Sequence, residues 1–489
     1  MRIIFPKAIP LFPLLIFLAA VVLVQIIQGT DPVFALLMLM AQLAAVVAFN
    51  RMGGMTHMAG ALCLFAILPN VTVPEFTHIL LRQPGDYNLQ HPLVTAGVCA
   101  GYFASLMTAA LLVSSMSRPV ALIDYIHFSI FELRIISVVS CVFAVSLAIR
   151  QLTLGGPVQD GSLLAALNHF EAPMLATSVM LGTYVRIVTT NGRSAMNWYV
   201  AFLLVVSVIP GLLNASKEGM LVPLLCWVMV VASSRHRFTW FGTLGLVTVA
   251  IGAWVFVYPF SQNARGPVRE SDSISDRVSL IIQFLRDPSA FPDSISNSEE
   301  SSEFGTDSSK VNIIARWSLL KSNDMLIDAD FRSGYTSIDR YAPVLLSVVP
   351  HAFWPDRPGY ILSNELGHKA GFRMAESDFT TGISIGSPGL FFDLGGWVAL
   401  IVYTLTFFIA FYFVAIRLIG SSETSIWGLV PIGVFANVAG SFSPSLMFLL
   451  VVSFMGMFFV MIAILKTISY TARLLISKPI PTKISLPRW

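Results

Sequence analysis

The sequence predicts an all-α polytopic membrane protein of about twelve transmembrane helices, with one large, partly helical extracytoplasmic loop between helices nine and ten. Three observations carry that expectation. Hydrophobic residues make up 55% of the 489-residue chain and charged residues only 12%, against roughly 25% charge in soluble globular domains. Apolar runs close to the ~20 residues needed to cross a bilayer core recur along the whole chain. These runs do not alternate apolar with polar residues, so the spans are helices rather than barrel strands. A mean hydropathy of +0.76 agrees.

Taken in order, the expected spans cover residues 8–28, 33–50, 54–71, 92–115, 134–152, 170–190, 196–214, 219–234, 238–260, 386–418, 424–440 and 444–468. The first begins after Arg2 and Lys7 and superficially resembles a signal peptide. No small-residue cleavage site follows it, and a second apolar run starts just after Asp31 and Pro32, so it is read as a retained helix. Cys63, Cys99, Cys141 and Cys226 fall inside apolar runs without metal-ligand spacing and read as small core residues. No internal repeat is visible, either of solenoid period or of the inverted kind that many transporters carry.

Lys and Arg set the orientation, because cytoplasmic loops collect them. With the N-terminus inside, Arg51, Arg118, Arg134, Arg186, Arg193, Arg235, Arg237, Arg417, Lys466, Arg473, Lys478, Lys483 and Arg488 fall on the cytoplasmic side. The short outer loops receive Arg82, Arg150 and Lys217. Both termini are therefore expected in the cytoplasm. The organisation becomes 1–260, helices one to nine; 261–385, the outer loop; 386–470, helices ten to twelve; and 471–489, a basic cytoplasmic tail.

An outer loop of that length is too long to be a bare connector. Residues 261–310 include SNSEESSEFGTDSS, acidic and without hydrophobic periodicity, and are expected to be mobile. Within them Val278, Ile281, Ile282 and Leu285 recur at helical spacing and predict a short helix on the membrane surface. Residues 311–385 mix apolar anchors (Ile313, Trp317, Leu320) with basic residues and turns, and are expected to fold against the membrane.

The densest polar chemistry is SVVPHAFWPDRPGYILSNELGHKAGF, residues 347–372. Around it stand Arg316, Arg332, Arg340, Arg357 and Arg373, whose guanidinium groups can grip phosphate oxygens in pairs and stay charged in any surroundings. Each could instead pair with an acid such as Asp324, Asp330, Asp339 or Asp356. Arg357 stands apart, because Pro355 and Pro358 stiffen the backbone around it. His351 and His368, the two histidines of the loop, can accept a hydroxyl proton near neutral pH or simply pack.

Lys217, in NASKEGML, opens the eighth span on the outer side, where an ammonium near free helix N–H groups makes a phosphate site. The alternative is a Lys217–Glu218 pair at headgroup level. Asp378, Thr380 and Thr381 precede Gly382, Gly386 and Gly389, glycines that predict close backbone approach, to a neighbouring helix more than to a ligand. There is no H-E-x-x-H spacing, and no catalytic metal is expected.

A long outer loop late in the chain, an S-K-x-G element opening a mid-chain span, the pattern ARWSLL…RSGYTS…VVPHAFWPDRP and the glycine-rich TGISIGSPGLFFDLGG resemble the O-antigen and exopolysaccharide repeat-unit polymerases. The resemblance covers the overall topology and, in detail, residues 213–396. It implies a GT-C-type, metal-independent glycosyltransferase of the bacterial inner membrane, without a cofactor, acting at the periplasmic face on undecaprenyl-diphosphate-linked oligosaccharides. It also implies a chain-length regulator and a flippase as partners, and no nucleic acid. On this resemblance Lys217, Arg316, Arg332 and Arg357 would hold the diphosphate, and Tyr335, His368 and Arg373 would bind the acceptor. His351, Glu365 or Asp378 would take the acceptor's proton. His351 stands where similar proteins often carry another basic residue, and Arg357 where Lys is common, which leaves the base open among the three.

Three rivals are weighed against that implication. An O-antigen ligase would share membrane, donor and loop, and differ in its acceptor. A transporter or lipid flippase would need polar residues in mid-membrane, and the expected spans are nearly free of charge in their central turns. A cysteine transpeptidase of the exosortase type would need a thiol near the outer surface, whereas Cys141 and Cys226 fall inside spans.

Overall fold

The computed structural model describes residues 6–116, 121–125, 128–153, 171–234, 236, 244, 248, 252–264, 267–268, 271, 273–287, 318–341, 362–372, 384–435, 462–463, 466–467 and 470–471. Among the described residues the chain is mostly helical and has no strand beyond an isolated bridge between His57 and Ser421. In chain order the first helices are α1 (Leu11–Ile27), α2 (Pro32–Arg51), α3 (Met58–Leu81), α4 (Pro92–Ser114), α5 (Ile130–Thr153), α6 (Glu171–Thr189), α7 (Trp198–Leu213) and α8 (Lys217–Ser233). Then come α9 (Ile274–Arg286), α10 (Leu320–Ser333), α11 (Leu362–Lys369), α12 (Ser387–Asp393), α13 (Gly396–Leu418) and α14 (Val430–Phe435). Five of these, α2, α3, α4, α5 and α13, are long and apolar enough to cross a membrane. The expected ninth and twelfth spans lie largely outside the described residues.

Local chemistry starts these helices where the sequence turns from polar to apolar. Asp31 accepts from Val33 N at 2.7 Å and Phe34 N at 3.1 Å, with Pro32 in the first position of α2. Asn197 caps α7 by accepting from Val200 N at 3.0 Å. Helices then pack through small side chains: α2 lies on α4 with Ala41, Ala44, Ala45 and Ala48 buried on one side and Ala96, Ala109 and Ala110 on the other. With lipid as apolar as leucine, close backbone approach of this kind is what holds a membrane bundle. α5 packs on α6 and α13 on α4, and the four cysteines are buried and unbridged within this core.

Two spans differ from expectation. α3 runs on to Leu81, well past the expected end at 71, although Pro69 and Pro74 lie in its path. Residues Leu68–Thr72 form a π turn, whose wider ring absorbs the missing prolyl N–H and lets the helix continue. One consequence corrects the expectation of charge-free spans: Glu75 lies buried inside α3, accepting from the Gln42 side chain while Gln25 Nε2 donates to its backbone carbonyl at 3.0 Å. The second difference is at the expected 386–418 span, which breaks at Leu394 and Gly395 into α12 and α13. Gly395 (φ 147°) and Gly396 (φ 72°) make the break, in conformations that L side chains rarely adopt. All seven residues of α12 are buried.

The bundle has two distinct ends. At one, Lys7 pairs with Glu423, Ile9 N donates to Asn50, Thr424 donates to Asp124 and Ser422 N donates to Thr56. At the other, Gly85 N donates to Thr30, and the 82–91 connection meets α10. These pairings match a chain threading alternately back and forth. The loop segments 318–341 and 362–372 therefore share one mouth with the connections after α1 and α3.

Candidate functional site

α10 is anchored to the mouth by its acids. Asp324, fully buried, accepts from Gln90 N at 2.7 Å, His91 N at 2.9 Å and Thr95 Oγ1 at 2.9 Å. A carboxylate is thus set at the N-terminus of α4, where unpaired N–H groups and the helix dipole favour negative charge. One turn along, Asp328 meets His91 Nε2 at 3.1 Å and Arg332 at 2.7 Å, and Lys321 donates to Asn88 O. At the start of α10, Leu319 N takes the Pro69 carbonyl of the π turn at 2.8 Å.

The next turn of α10 carries the most charged part of the described mouth. Lys369 Nζ, at the end of α11, lies 2.6 Å from Asp330 Oδ1 and 2.5 Å from Asp393 Oδ1 at the end of α12. Both aspartate side chains are 0% exposed and the lysine 17%. Thr336 donates to Asp393 Oδ1 through N at 3.2 Å and through Oγ1 at 2.8 Å, and Tyr341 Oη donates to Asp393 Oδ2 at 2.7 Å. A small apolar core of Leu326, Tyr341, Leu362, Leu366, Ile385 and Leu390 seals the cluster.

Burial and opposed charges set protonation here. Burial, then the neighbouring Asp393, push the Asp330 carboxyl up to about 9. Burial acts on Asp393 in the same sense, but hydrogen bonds from Asp330, Lys369 and Tyr341 outweigh it and hold that carboxyl below its ordinary range. For Lys369, burial alone would lower the value, and the two aspartates reverse this and raise it.

A second patch forms where α7 meets α8. Ser216 caps α8 by accepting from Gly219 N at 3.2 Å, and Ala215 turns the chain at φ 46°. Gly219 rests on Gly211 of α7, where an added Cβ would come 2.7 Å from Gly211 Cα. The S-K-x-G element is therefore a cap, a lysine in the first turn of α8 and a helix contact. α9 packs beside it: Arg277 Nη1 donates to Leu213 O at 3.2 Å and Asn214 Oδ1 at 3.3 Å, and Phe284 is buried against Phe260. A helix is thus present where the spacing predicts one, with Ile281 packed inward and Val278, Ile282 and Leu285 exposed.

The expected site residues divide accordingly. Arg332, Tyr335, Glu365 and His368 lie at the Lys369 mouth, and Lys217 lies in the α7–α8 patch. Arg332 is exposed and paired with Asp328. Glu365 Oε1 is 3.6 Å from Arg340, half exposed. The Tyr335 ring stands edge-on to Phe392 at 5.7 Å, its hydroxyl over Gly396. His368 sits one residue before Lys369, half-buried. Arg316, His351, Arg357, Arg373 and Asp378 lie outside the described residues.

No family model, curated protein or solved structure matches the chain.

Sequence reasoning passed over Lys369, Thr336, Tyr341 and Asp393, and took Asp324 and Asp330 only as partners for arginines. One signal was present: Asp393 interrupts the run GLFFDLGG, and an acid inside an apolar stretch is either paired or functional. Gly386 and Gly389 had been read as packing glycines. They admit the Asn70 and Asn323 side chains, which a Cβ at either position would crowd.

Proposed function

We propose that the protein is a membrane glycosyltransferase that joins lipid-diphosphate-linked oligosaccharide repeat units into O-antigen or exopolysaccharide chains. The observation that supports this most is placement. Residues 318–341, which hold the RSGYTS part of the resemblance, and residues 362–372 are anchored at one mouth of the bundle, where the headgroup of a lipid-linked substrate would lie. The distribution of Lys and Arg supports an outward-facing, periplasmic mouth in a bacterial inner membrane.

In the proposed reaction an acceptor sugar hydroxyl attacks the anomeric carbon of the lipid-linked donor. Its proton passes to a base among His351, Glu365 and Asp378, a new C–O bond forms, and the anomeric C–O bond to phosphate breaks. The departing lipid diphosphate gathers negative charge, which Lys217, Arg316, Arg332 and Arg357 would stabilise. Tyr335, His368 and Arg373 would orient the acceptor, with a chain-length regulator and a flippase as partners. The deciding experiment supplies purified protein with lipid-linked repeat units alone. Long lipid-linked chains are expected; transfer only when lipid A-core is added would make the protein a ligase instead.

A second reading is favoured by one observation. Glu75, with Gln42 and Gln25, is a buried carboxyl inside a span, a feature common in transporters. Substrate movement across reconstituted vesicles without new glycosidic bonds would establish that reading and end the first.

A further inference from the structure

In the Lys369 cluster two buried acids face one ammonium, and hydrogen bonds are shared unequally between them. Asp393 accepts from Thr336 N, Thr336 Oγ1, Tyr341 Oη and Lys369 Nζ. Among the described residues Lys369 is the one donor to Asp330, through Oδ1, and Asp330 Oδ2 is buried with no donor facing it. A charged oxygen left bare in a dry interior is among the least tolerated arrangements in proteins, whereas a neutral carboxyl is far less costly.

We propose that Asp330 is a proton-binding site, a neutral carboxylic acid beside Asp393, and that Asp393 alone supplies the charge that holds Lys369. The cluster is then a neutral acid beside one ion pair, the acid's hydrogen shared with Asp393. The groups that face Asp330 agree. Lys369 comes from α11, Asp393 from α12, and Thr336 and Tyr341 from the segment after α10. Glu365 is turned to Arg340, while Asp324 and Asp328 on the same helix are taken by the start of α4 and by His91 and Arg332. The shift of Asp330 to about 9 has the same sense.

This inference stands on the hydrogen-bond pattern and is independent of the glycosyltransferase reading. The test is hydrogen exchange of the full chain in detergent, corrected for intrinsic exchange rates, over Leu320–Ser333 and Leu362–Lys369. At pH 7, Asp330→Asn should keep protection within about twofold of the parent, because its amide has the shape of the neutral acid. Asp393→Asn strands the buried ammonium and should lose on the order of 100-fold or more. Protection of the parent should fall steadily as pH rises from 6 toward 9, and this slope should vanish in Asp330→Asn. Equal losses in the two variants, or an unchanged slope in Asp330→Asn, would overturn the assignment. If Asp393→Asn does not fold, the slope comparison alone decides.

Discussion

Asn323 of α10 reaches into the π turn of α3, its Nδ2 donating to Asn70 Oδ1 at 3.0 Å while its Oδ1 accepts from Gly389 N at 3.3 Å. Both asparagines are fully buried, and Asn70 Nδ2 is spent on Ala66 O at 2.8 Å. One side chain therefore ties together a span, a loop helix and the short helix before α13. Such a tie exists because the π turn and two prolines leave backbone and side-chain groups in need of partners.

Replacing Asn323 with Ala should destabilise the protein by about 1–3 kcal/mol for each group left unpaired, Asn70 Oδ1 and Gly389 N. Asn70→Ala should cost a similar amount, and the double variant less than the sum, since the two residues share one bond. Thermal unfolding in detergent of the four proteins gives the coupling. Strict additivity would mean that the contact carries no energy.

The contact between Gly211 and Gly219 makes a sharper prediction. A methyl group at either position meets helix backbone rather than a yielding side chain, so Gly219→Ala should push α8 from α7 and cost about 1–3 kcal/mol. Gly192 has open space around its Cβ position. Gly192→Asn, at φ 75°, is the control and should be nearly silent, since Asn tolerates the left-handed region. A melting temperature for Gly219→Ala equal to the parent's would show that the helices separate freely there.

How much of this was legible in the chain follows from range. The membrane class and the helices α2, α4, α5 and α9 were readable because hydrophobic runs, the Asp31-Pro32 pair and the spacing of Val278, Ile281, Ile282 and Leu285 act within a few residues. The continuation of α3 was not, since Pro69 and Pro74 normally end a helix, and the Pro69 carbonyl, which Pro74 cannot serve, takes its donor from Leu319 N far along the chain. The Lys369 cluster was hidden for the same reason. Asp330, Lys369 and Asp393 each look like an ordinary loop charge, and their meeting depends on α10, α11 and α12 docking together. The alternative in which loop arginines pair with acids is met by Arg332, through Asp328, and by Arg340, through Glu365, whereas Asp324 and Asp330 serve a helix N-terminus and a lysine.

Acid should undo the docking of α11 by a route separate from the Asp330 slope. Asp393 is held below its ordinary range, so its contribution is present above the unfolded carboxylate value of about 3.9 and is lost as pH falls through its lower folded value. Lys369 is raised, and its contribution is complete at all lower pH. Protection of α11 should therefore collapse only in strong acid, and Asp393→Asn should remove that collapse. Tryptophan emission and hydrogen exchange measured down to pH 2 would report it; loss already near pH 6 would point to a histidine instead.

Lys217 and Lys369 separate chemistry from docking. Lys217 opens α8 between the Ser216 cap and Gly219, while Lys369 joins three segments at two buried acids. With lipid-linked repeat units as substrate, Lys217→Ala should slow chain extension by about 10²–10³, the usual loss for one electrostatic donor to a transition state, and leave hydrogen-exchange protection of α10 and α11 at the parent level. Lys369→Met should lower both together. Chain extension at the parent rate in Lys217→Ala would remove this lysine from the diphosphate site, and loss of protection in that variant would show that the two patches are one structural unit.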